Sequence, residues 1–401
     1  MLDEVKVALV GIGGYGELYA SEIFNSAVKH SVKLVAGIDP FAVKSSAFNE
    51  FQQRNIPVFE NLEQFYKEEF ADLVIVSAPI HLHAPYTCKA LQQGSNVLCE
   101  KPISGTVQDA LLMQKTEKET GKFIAIGYQW SYSPAILEFK KDIHIGLLGQ
   151  PRCLKAKVLW PRPDSYYRRN QWAGCQKINS RWTLDSPVNN ATSHYLHNAF
   201  FILGAEANLF SVQAELYRAR KIENYDTAAL RCMTEDGVEV LFYTTHSTQE
   251  MIGPTLSYEF GDAHVTFDSD AGLVARFKNG QVKEYGRPDS QADHWRKIWE
   301  SVDAIRSGRL ITCGVADSLA QTICMNGAQE STKDISIFPE TLIQKITRGI
   351  ETYRFVDGLQ DTFERCFDLG VLPTELSNIS WARVGTIVDL REYAHYPSWE
   401  L

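Results

Sequence analysis

The sequence predicts an α/β protein with a doubly wound parallel sheet in its first domain and a mostly antiparallel sheet in its second. The chain has 401 residues, which is more than one hydrophobic core usually holds. Its first 130 residues alternate short apolar strands with helical segments, a pattern typical of a parallel sheet covered on both faces. Several later segments instead alternate apolar and polar residues, as antiparallel strands do.

The first strand, Val5–Val10, runs directly into the glycine-rich turn Gly11-Ile12-Gly13-Gly14-Tyr15-Gly16 and then into a helical segment. In this context the G-x-G-x-x-G pattern predicts a dinucleotide-binding loop. Gly11 permits the tight turn, Gly13 lets a pyrophosphate approach the backbone, and Gly16 lets helix and strand pack closely. The next strand, Val32–Ile38, ends at Asp39, whose carboxylate can accept hydrogen bonds from ribose hydroxyls and repel a 2′-phosphate. We therefore expect NAD as the cofactor in preference to NADP.

The remaining elements of the first domain continue this alternation. Strands are predicted at 72–77, 96–99 and 123–128, and helices at 41–53, 62–70, 107–120 and before Gly94. The tripeptide Glu100-Lys101-Pro102 closes the strand at 96–99. A lysine at the carboxyl end of such a strand points toward the ligand crevice, and the proline holds it at a rigid corner. Lys101 is thus the first candidate for chemistry.

Composition excludes several classes of partner. The formal net charge is −9 and basic residues form only short groups, which argues against nucleic acid or an anionic membrane and favours a small molecule. Met1 to Lys6 resemble no signal peptide and no apolar stretch reaches membrane-spanning length, so we expect a cytoplasmic protein. The eight cysteines lack a Cys-x-x-Cys pair, and His81 and His83 have no fitting neighbour, so we predict no disulfide and no metal.

The second domain begins with a predicted helix at 134–145. Strands are predicted at 152–160, 211–218, 228–233, 238–245, 255–260, 264–268 and 274–282, with Asx-Gly turns that indicate hairpins. A further helix is predicted from Pro187 to Gly204, with Ser186 as its N-cap. Helical spacing would place the side chains of one polar stripe together: Asn190, His194, His197 and Phe201.

Between the strand at 152–160 and this helix lies an aromatic and basic segment: Arg162, Tyr166, Tyr167, Arg168, Arg169, Trp172, Arg181 and Trp182. Aromatic rings stack on the C–H faces of sugars, and arginine binds carboxylate, sulfonate or phosphate groups. An anionic sugar derivative and simple aromatic packing are both compatible with this segment. After residue 338 the sequence predicts helices at 339–353 and 361–368, packed on the second domain or on a neighbouring subunit.

The glycine loop, Asp39, the segment 79–83 and the Lys101 corner, in this order, resemble the glucose-fructose oxidoreductase and inositol dehydrogenase family, Gfo/Idh/MocA, over about residues 5–335. The resemblance implies an NAD-binding Rossmann domain at 1–130 and an α+β domain at 131–337, with a helical extension at 338–401. The open, mostly antiparallel sheet of the α+β domain would form the floor of the active site. It would also provide the interface of a homodimer or homotetramer.

The resemblance also implies roles for particular residues. Lys101 would be the catalytic lysine, and Glu100, Gln129, Pro79 and His83 would lie near the cofactor together with the glycine loop and Asp39. His194 would be the general base or acid, and Asn190 stands where the family has an aspartate. Ile80 and Trp130 also depart from the family pattern, so we expect a rebuilt substrate pocket. The residues predicted to line it are Trp130, Arg169, Trp172, Trp182, His194 and His197.

The function implied is reversible hydride transfer between a hydroxyl-bearing carbon of a sugar, sugar acid or polyol and nicotinamide, with His194 taking the proton and Lys101 orienting the oxygen. Because an amide at position 190 carries no charge, we expect the base to remain neutral at lower pH than in the family. Two alternatives stay open. One is an NAD-dependent glycoside-cleaving enzyme that works by oxidation and elimination. The other is a non-catalytic NAD-binding sensor, which the presence of Lys101 and His194 disfavours.

Overall fold

The computed structural model describes residues 4–205, 208–268, 270–288, 290 and 293–400. The expectations that concern Met1 to Asp3 and Leu401 lie outside the described residues. The chain divides into two compact units. One comprises residues 1–104, 108–132 and 289–318, and the other comprises 105–107, 133–288 and 319–401. The segment 289–318, which the predicted domain boundaries place in the second domain, is therefore grouped with the first unit.

The first unit contains a six-stranded parallel sheet in the order β3-β2-β1-β4-β5-β6, with helices between the strands, and the predicted doubly wound architecture is confirmed. Its strands β1 and β4 are almost wholly buried, as expected for a sheet covered on both faces. In chain order its elements are β1 Val5–Val10, α1 Tyr15–Ser26, β2 Val32–Ile38, α2 Phe48–Gln53, β3 Val58–Phe59, α3 Leu62–Glu68, β4 Leu73–Val76, α4 His83–Gln92, β5 Asn96–Cys99, α5 Val107–Thr120 and β6 Ile124–Ile126.

The order of the strands reverses between β1 and β4. In open α/β sheets of this kind, ligands bind outside the carboxyl ends of the strands at such a switch point. Gly11 follows β1, Asp39 follows β2 and Lys101 follows Glu100 at the end of β5. The topology therefore brings the predicted cofactor-binding residues to one edge of this sheet.

The second unit is built on a ten-stranded sheet that is mostly antiparallel, as predicted, with parallel pairing of β7 to β12 and of β10 to β17. The path through the sheet is β16-β15-β14-β13-β7-β12-β11-β10-β17, and β20 pairs with β10. Of the elements that follow β6 in the chain, α8 belongs to the first unit. These elements are α6 Pro134–His144, β7 Pro151–Leu159, β8 Lys177–Ile178, β9 Arg181–Trp182, α7 Ser193–Leu203, β10 Leu209–Arg218, β11 Thr227–Thr234, β12 Glu239–Thr245, β13 Ile252–Phe260, β14 Ala263–Asp268, β15 Gly272–Phe277, β16 Val282–Gly286, α8 Arg296–Ser307, α9 Val315–Ser331, β17 Ser336–Ile337, β18 Ile343–Arg348, β19 Glu351–Val356, α10 Leu359–Leu369 and β20 Val388–Asp389.

Three predicted helices differ from the structure. The helix expected at 41–53 extends only over Phe48–Gln53, after a separate 3₁₀ turn at Ala42–Lys44. The helix expected at 339–353 is wrong, since this segment forms the antiparallel hairpin of β18 and β19 with Gly349 at positive φ in the turn. The helix expected from Pro187 begins only at Ser193. The Ser186 hydroxyl does accept the Asn189 N–H at 3.2 Å, but the N–H of Thr192 reaches back five residues to Pro187, which makes a wide turn. Asn190 therefore precedes α7 and is not part of a continuous helical stripe.

Residues of the C-terminal extension cover one face of the second unit's sheet. A hydrophobic core joins Tyr217 and Tyr243 on the sheet to Phe363 and Phe367 on α10 and to Trp381. The Tyr243 hydroxyl donates to the carbonyls of Cys366 and Val371, at 3.1 and 3.0 Å. The extension is thus built into the core of this unit. Within the described ranges, no helix has the length and apolar character required to cross a membrane.

Candidate active site

The glycine loop of the first unit needs glycine at two positions for steric reasons. Gly11 has φ +80°, and a Cβ there would lie 2.1 Å from the Ser77 carbonyl oxygen. A Cβ on Gly16 would lie 1.9 Å from the Gly11 carbonyl oxygen. At Gly14 the neighbourhood is open, because a Cβ would meet nothing within 4 Å. The loop backbone thus packs tightly against the turn after β4, whereas the space beside Gly14, where α1 begins, is free. Such space at a helix N-terminus is required for a pyrophosphate to bind there.

Asp39 is held beside this loop by backbone hydrogen bonds. Its carboxylate accepts the Ile12 N–H at 3.1 Å and the Phe41 N–H at 2.8 Å. Each carboxylate oxygen keeps a further lone pair for a ribose hydroxyl. The open loop and this anchored carboxylate fit the adenosine half of a dinucleotide. Ile12 and Tyr15, also predicted to contact the cofactor, lie in the same loop.

His83 braces the corner at Lys101. It is the first residue of α4 and is buried, with Nδ1 2.7 Å from the Pro102 carbonyl oxygen and Nε2 2.8 Å from that of Ala78. Burial lowers its pKa, and the two carbonyls act in the opposite direction. Because both ring nitrogens contact backbone, the side chain ties the turn after β4, which includes Pro79, to the turn after β5. Its predicted contact with the cofactor stays a prediction.

Glu100 forms a buried ion pair that the sequence analysis did not predict. Its carboxylate forms an ion pair with the ammonium group of Lys297 on α8. It also accepts hydrogen bonds from the Tyr19 hydroxyl at 2.7 Å and from the Lys101 backbone N–H at 3.0 Å. Glu100 is 6% exposed and Lys297 is 0% exposed. Burial alone would raise the pKa of Glu100, but the charges of Lys297 and Lys101 outweigh it and leave the pKa below its usual value. The carboxylate is therefore ionised, and it holds the backbone from which the Lys101 side chain extends.

Sequence signals for Lys297 are weak. It lies 197 residues from Glu100, on a helix whose buried face also carries Ile298 and Ser301. Its ammonium group lies 4.9 Å from the ring centre of Tyr19 and 5.1 Å from that of Tyr15. The surrounding aromatic rings exclude water and strengthen the attraction between the two charges.

Two further predicted residues lie after β6. Gln129 opens the short 3₁₀ helix Gln129–Tyr132 and is half-buried, and Trp130 is buried within the same turn. Gln129 thus follows β6, the neighbour of β5 in the sheet. This is the position expected for a residue near the Lys101 corner, which follows β5. Trp130, predicted to bind substrate, lies in the first unit.

In the second unit, Asn190 is paired with a carboxylate that the sequence analysis missed. Its Nδ2 donates to Oδ1 of Asp185 at 2.7 Å. The other Asp185 oxygen accepts the Gly174 N–H at 2.7 Å and lies 3.8 Å from the Arg169 guanidinium. Asp185 is 2% exposed. The contact depends on the wide turn before α7, so helical spacing could not have predicted it.

The two histidines of α7 have different surroundings. His194 is half-buried in the first turn of the helix. His197 is buried, with its ring centre 5.6 Å from that of Phe201. Burial, helped by the charge of Lys140, lowers the pKa of His197 well below its usual value, so this imidazole is neutral.

The aromatic residues predicted to bind substrate fall into two groups. Arg169 lies 3.7 Å from the ring centre of Tyr166 and 5.1 Å from that of Trp172. Trp182 instead contacts Tyr396 of the C-terminal extension, with ring centres 5.0 Å apart. The structure thus brings Arg169, Trp172, Asp185 and Asn190 into one cluster, whereas Trp182 packs against the tail. Among the side chains that the structure describes, no group of three or more His, Cys, Asp or Glu is arranged to hold a metal ion.

Comparisons with known proteins show which family and which folds this chain resembles. The model of an oxidoreductase family with an NAD-binding Rossmann fold, GFO_IDH_MocA, matches residues 5–128. An inositol 2-dehydrogenase of Acidothermus cellulolyticus is 28% identical over 362 residues, which cover 84% of this chain and 95% of the relative. A 2,7-anhydro-N-acetylneuraminate hydratase of Mediterraneibacter gnavus is 29% identical over 194 residues, covering 48% of this chain and 47% of the relative.

Among solved structures, the WlbA dehydrogenase of Bordetella pertussis, in complex with NADH and UDP-GlcNAcA, has a TM-score of 0.67 at 19% identity. The match covers 81% of this chain and 97% of that one, and it shows the shared fold. Over residues 5–128 the chain is thus similar to a family of oxidoreductases with an NAD-binding Rossmann fold. The match of residues 5–128 to the Gfo/Idh/MocA family model confirms the predicted resemblance to that family.

Proposed function

We propose that this chain is an NAD-dependent dehydrogenase acting on a secondary hydroxyl of a sugar, sugar acid or polyol. The observation that carries the proposal is the Lys101 corner. A buried ion pair and a buried histidine anchor it at the sheet edge that also holds the glycine loop and Asp39. The similarity to an inositol 2-dehydrogenase supports a polyol or sugar as the substrate.

Each polar residue has a distinct role in the proposed reaction. The ammonium group of Lys101 orients the substrate oxygen and stabilises negative charge as it develops there. His194 removes the hydroxyl proton. Asn190 donates one N–H of its amide to Asp185, and in this proposal its carbonyl oxygen is an acceptor in the site. The bound nicotinamide supplies the redox chemistry by accepting or returning hydride.

The cofactor in this proposal is NAD. The Asp39 carboxylate is fixed by two backbone N–H groups at the end of β2, where it would repel a 2′-phosphate. Pro40 and Phe41 follow directly, so no arginine is adjacent in sequence to neutralise such a phosphate. The comparison of rates with NAD and NADP tests this preference.

We also propose that the chain forms a homodimer or homotetramer through its second sheet, as the resemblance implies. The C-terminal extension covers β7 and β10 to β12 on one face. The part of that sheet left for such contact is β13 to β16, where exposed polar side chains include Glu259, His264 and Arg276.

A second candidate function is cleavage or rearrangement of a glycoside by transient oxidation and elimination. The similarity to an anhydro-sugar hydratase favours it, although that match spans less than half of each chain. The two functions are separated by the fate of the cofactor. A dehydrogenase accumulates NADH together with an oxidised product, whereas an oxidation–elimination enzyme releases a rearranged sugar without net NADH.

The test is a screen of polyols, sugars, sugar acids and glycosides with NAD, in which NADH absorbance and product release are followed together. Lys101→Met should lower kcat by about 10² to 10⁴ while NAD still binds in a fluorescence titration. Lys115→Met is the matched control, because Lys115 is 71% exposed on α5. Tight NAD binding without turnover of any substrate would contradict the proposed activity and favour the sensor.

A further inference from the structure

A continuous series of contacts in the second unit leads from Asn190 to the residue next to His194. Asp185 binds Asn190 and lies 3.8 Å from Arg169, which stacks on the Tyr166 ring. On the same ring, at 5.2 Å from its centre, lies the guanidinium of Arg162, which is also 5.7 Å from the Trp160 ring centre. Trp160 in turn meets Tyr195 edge-on, with ring centres 5.6 Å apart. These contacts connect Arg162 to Asp185 through Tyr166 and Arg169, and to Tyr195 of α7 through Trp160.

Most arginines of this cluster have an acidic partner. Arg354 binds Asp164 through two nitrogens, at 3.0 to 3.1 Å. Arg220 is buried against Asp226 at 3.2 Å, and Arg169 lies near Asp185. The nearby carboxylate of Glu351 accepts the Ser165 hydroxyl.

Arg162 is the exception. Within the described part of the chain it forms no ion pair, and its Nε is buried without a hydrogen-bond partner. The residue as a whole is only half-buried, so part of the side chain can be reached by a ligand. Burying a guanidinium without a counter-ion is costly. The Arg162 guanidinium, which lies beside two aromatic rings, thus has no ion-pair partner among the described residues.

His246 neither compensates this charge nor adds to it. It is buried, with Nδ1 2.7 Å from the Tyr167 hydroxyl. Burial and the neighbouring charges of Arg162, Arg220 and Arg169 lower its pKa well below the usual value, so the ring is neutral. The neutral ring therefore supplies no counter-charge to Arg162.

We propose that Arg162 is a specificity-determining residue that binds the carboxylate of a sugar acid, with Trp160 and Tyr166 beside the apolar face of the sugar. The inference rests on the proposed function and narrows its substrate class. An arginine fork matches a carboxylate in a bidentate geometry. The single charge of one guanidinium is matched by a carboxylate, which carries one negative charge, better than by a doubly charged phosphate.

The test measures binding and turnover separately. With NAD present, calorimetric titration compares D-glucuronate, D-galacturonate and D-gluconate with their neutral counterparts D-glucose, D-galactose and D-sorbitol. D-Glucose 6-phosphate provides the dianion. Since a charge-assisted hydrogen bond typically contributes about 1.5–3 kcal/mol, at least one acid should bind about ten- to a hundredfold more tightly than its neutral counterpart.

Variants then assign that preference. Arg162→Met should reduce acid binding to the level of the neutral sugar, and Arg162→Lys should retain part of it. Arg152→Met is the matched control, because Arg152 is an exposed arginine on β7, and it should leave binding unchanged. Circular dichroism shows whether each variant is folded. If Arg162→Met is not folded, the acid binding of Arg162→Lys is compared with that of the parent instead.

The outcomes distinguish this inference from the proposed function. Acid binding that depends on Arg162, without NADH formation or any rearranged product, supports the subsite and contradicts the proposed activity. NADH formation with no preference for any acid, or with a preference that Arg162→Met leaves intact, overturns the subsite alone. Tighter binding of the phosphate than of every carboxylate also overturns the assignment.

Discussion

The side-chain amide of Asn190 donates a 2.7 Å hydrogen bond to Asp185, five residues earlier in the chain. The resemblance to the family led us to expect that an amide at position 190 would remove a negative charge from the site. The structure instead has a buried carboxylate in direct contact with that amide. Asp185 also accepts the Gly174 N–H, so its position is set by the loop before α7 and not by the helix itself.

Asn190→Asp would bring two carboxylates into contact. Like charges at this distance cannot both ionise readily, so the pKa of the pair should rise. A carboxyl whose folded pKa is raised binds protons more tightly in the folded state, and its penalty grows as the pH rises. We therefore expect the variant's melting temperature to fall, relative to the parent, between about pH 4 and 7. The apparent pKa of its pH–rate profile should also be higher than the parent's.

The double variant Asp185→Asn/Asn190→Asp is the matched control, because it exchanges the carboxylate and the amide and keeps one of each. It should recover most of the melting temperature that Asn190→Asp loses at pH 7. If both variants melt alike, or if the pH–rate profile of Asn190→Asp does not move upward, this account of the pair is wrong.

Glu100 and Lys297 should behave as a buried ion pair. Removing one charge leaves the other buried without compensation, so Glu100→Gln or Lys297→Met should each destabilise the fold by about 3–5 kcal/mol. Their combination should cost much less than the sum. Denaturant unfolding of the two single variants and the double variant measures this coupling. Glu50→Gln is the control, since Glu50 pairs with Arg54 on the surface and should contribute about 0–1 kcal/mol.

The same pair predicts a pH dependence. The folded chain holds the pKa of Glu100 below its usual value of 4.5. The unfolded chain then binds this proton more tightly, so the stabilisation is present above pH 4.5 and is lost as the pH falls through the lowered pKa. Melting curves between about pH 3 and 6 should show a smaller acid-induced loss in Glu100→Gln than in the parent. Parallel curves would contradict the assignment.

The C-terminal extension should be required for the stability of the second unit. Phe363 on α10 is buried, with its ring centre 6.0 Å from that of Tyr243 on the sheet. Phe363→Ala should therefore destabilise the unit by about 3–5 kcal/mol. Leu369→Ala on the same helix is the control, because Leu369 is 65% exposed and should change stability by less than about 0.5 kcal/mol. Equal effects would mean that α10 does not contribute to the core.

Some errors of prediction have a clear physical origin. In the segment 339–353, Ile343, Ile346 and Ile350 recur at the spacing of a helix face, so periodicity alone favours a helix. The structure forms a hairpin there because β18 pairs with β19. At Pro187 the local signals for a helix start were present, and Ser186 does cap a turn. The backbone nevertheless forms a wide turn that lets Asn190 reach Asp185.

The sequence by itself determined the doubly wound sheet, the glycine loop, Asp39 and the Lys101 corner. These depend on short contiguous signals: apolar strands, a glycine turn and a strand-ending proline. Only the tertiary structure decided which charges accompany them. Lys297 reaches Glu100 across 197 residues, Asp185 reaches Asn190 through an irregular turn, and Arg162 is left without a carboxylate. The first pairing arises from packing between distant segments and the second from a backbone turn that departs from helical geometry, so neither residue type nor regular spacing encodes them.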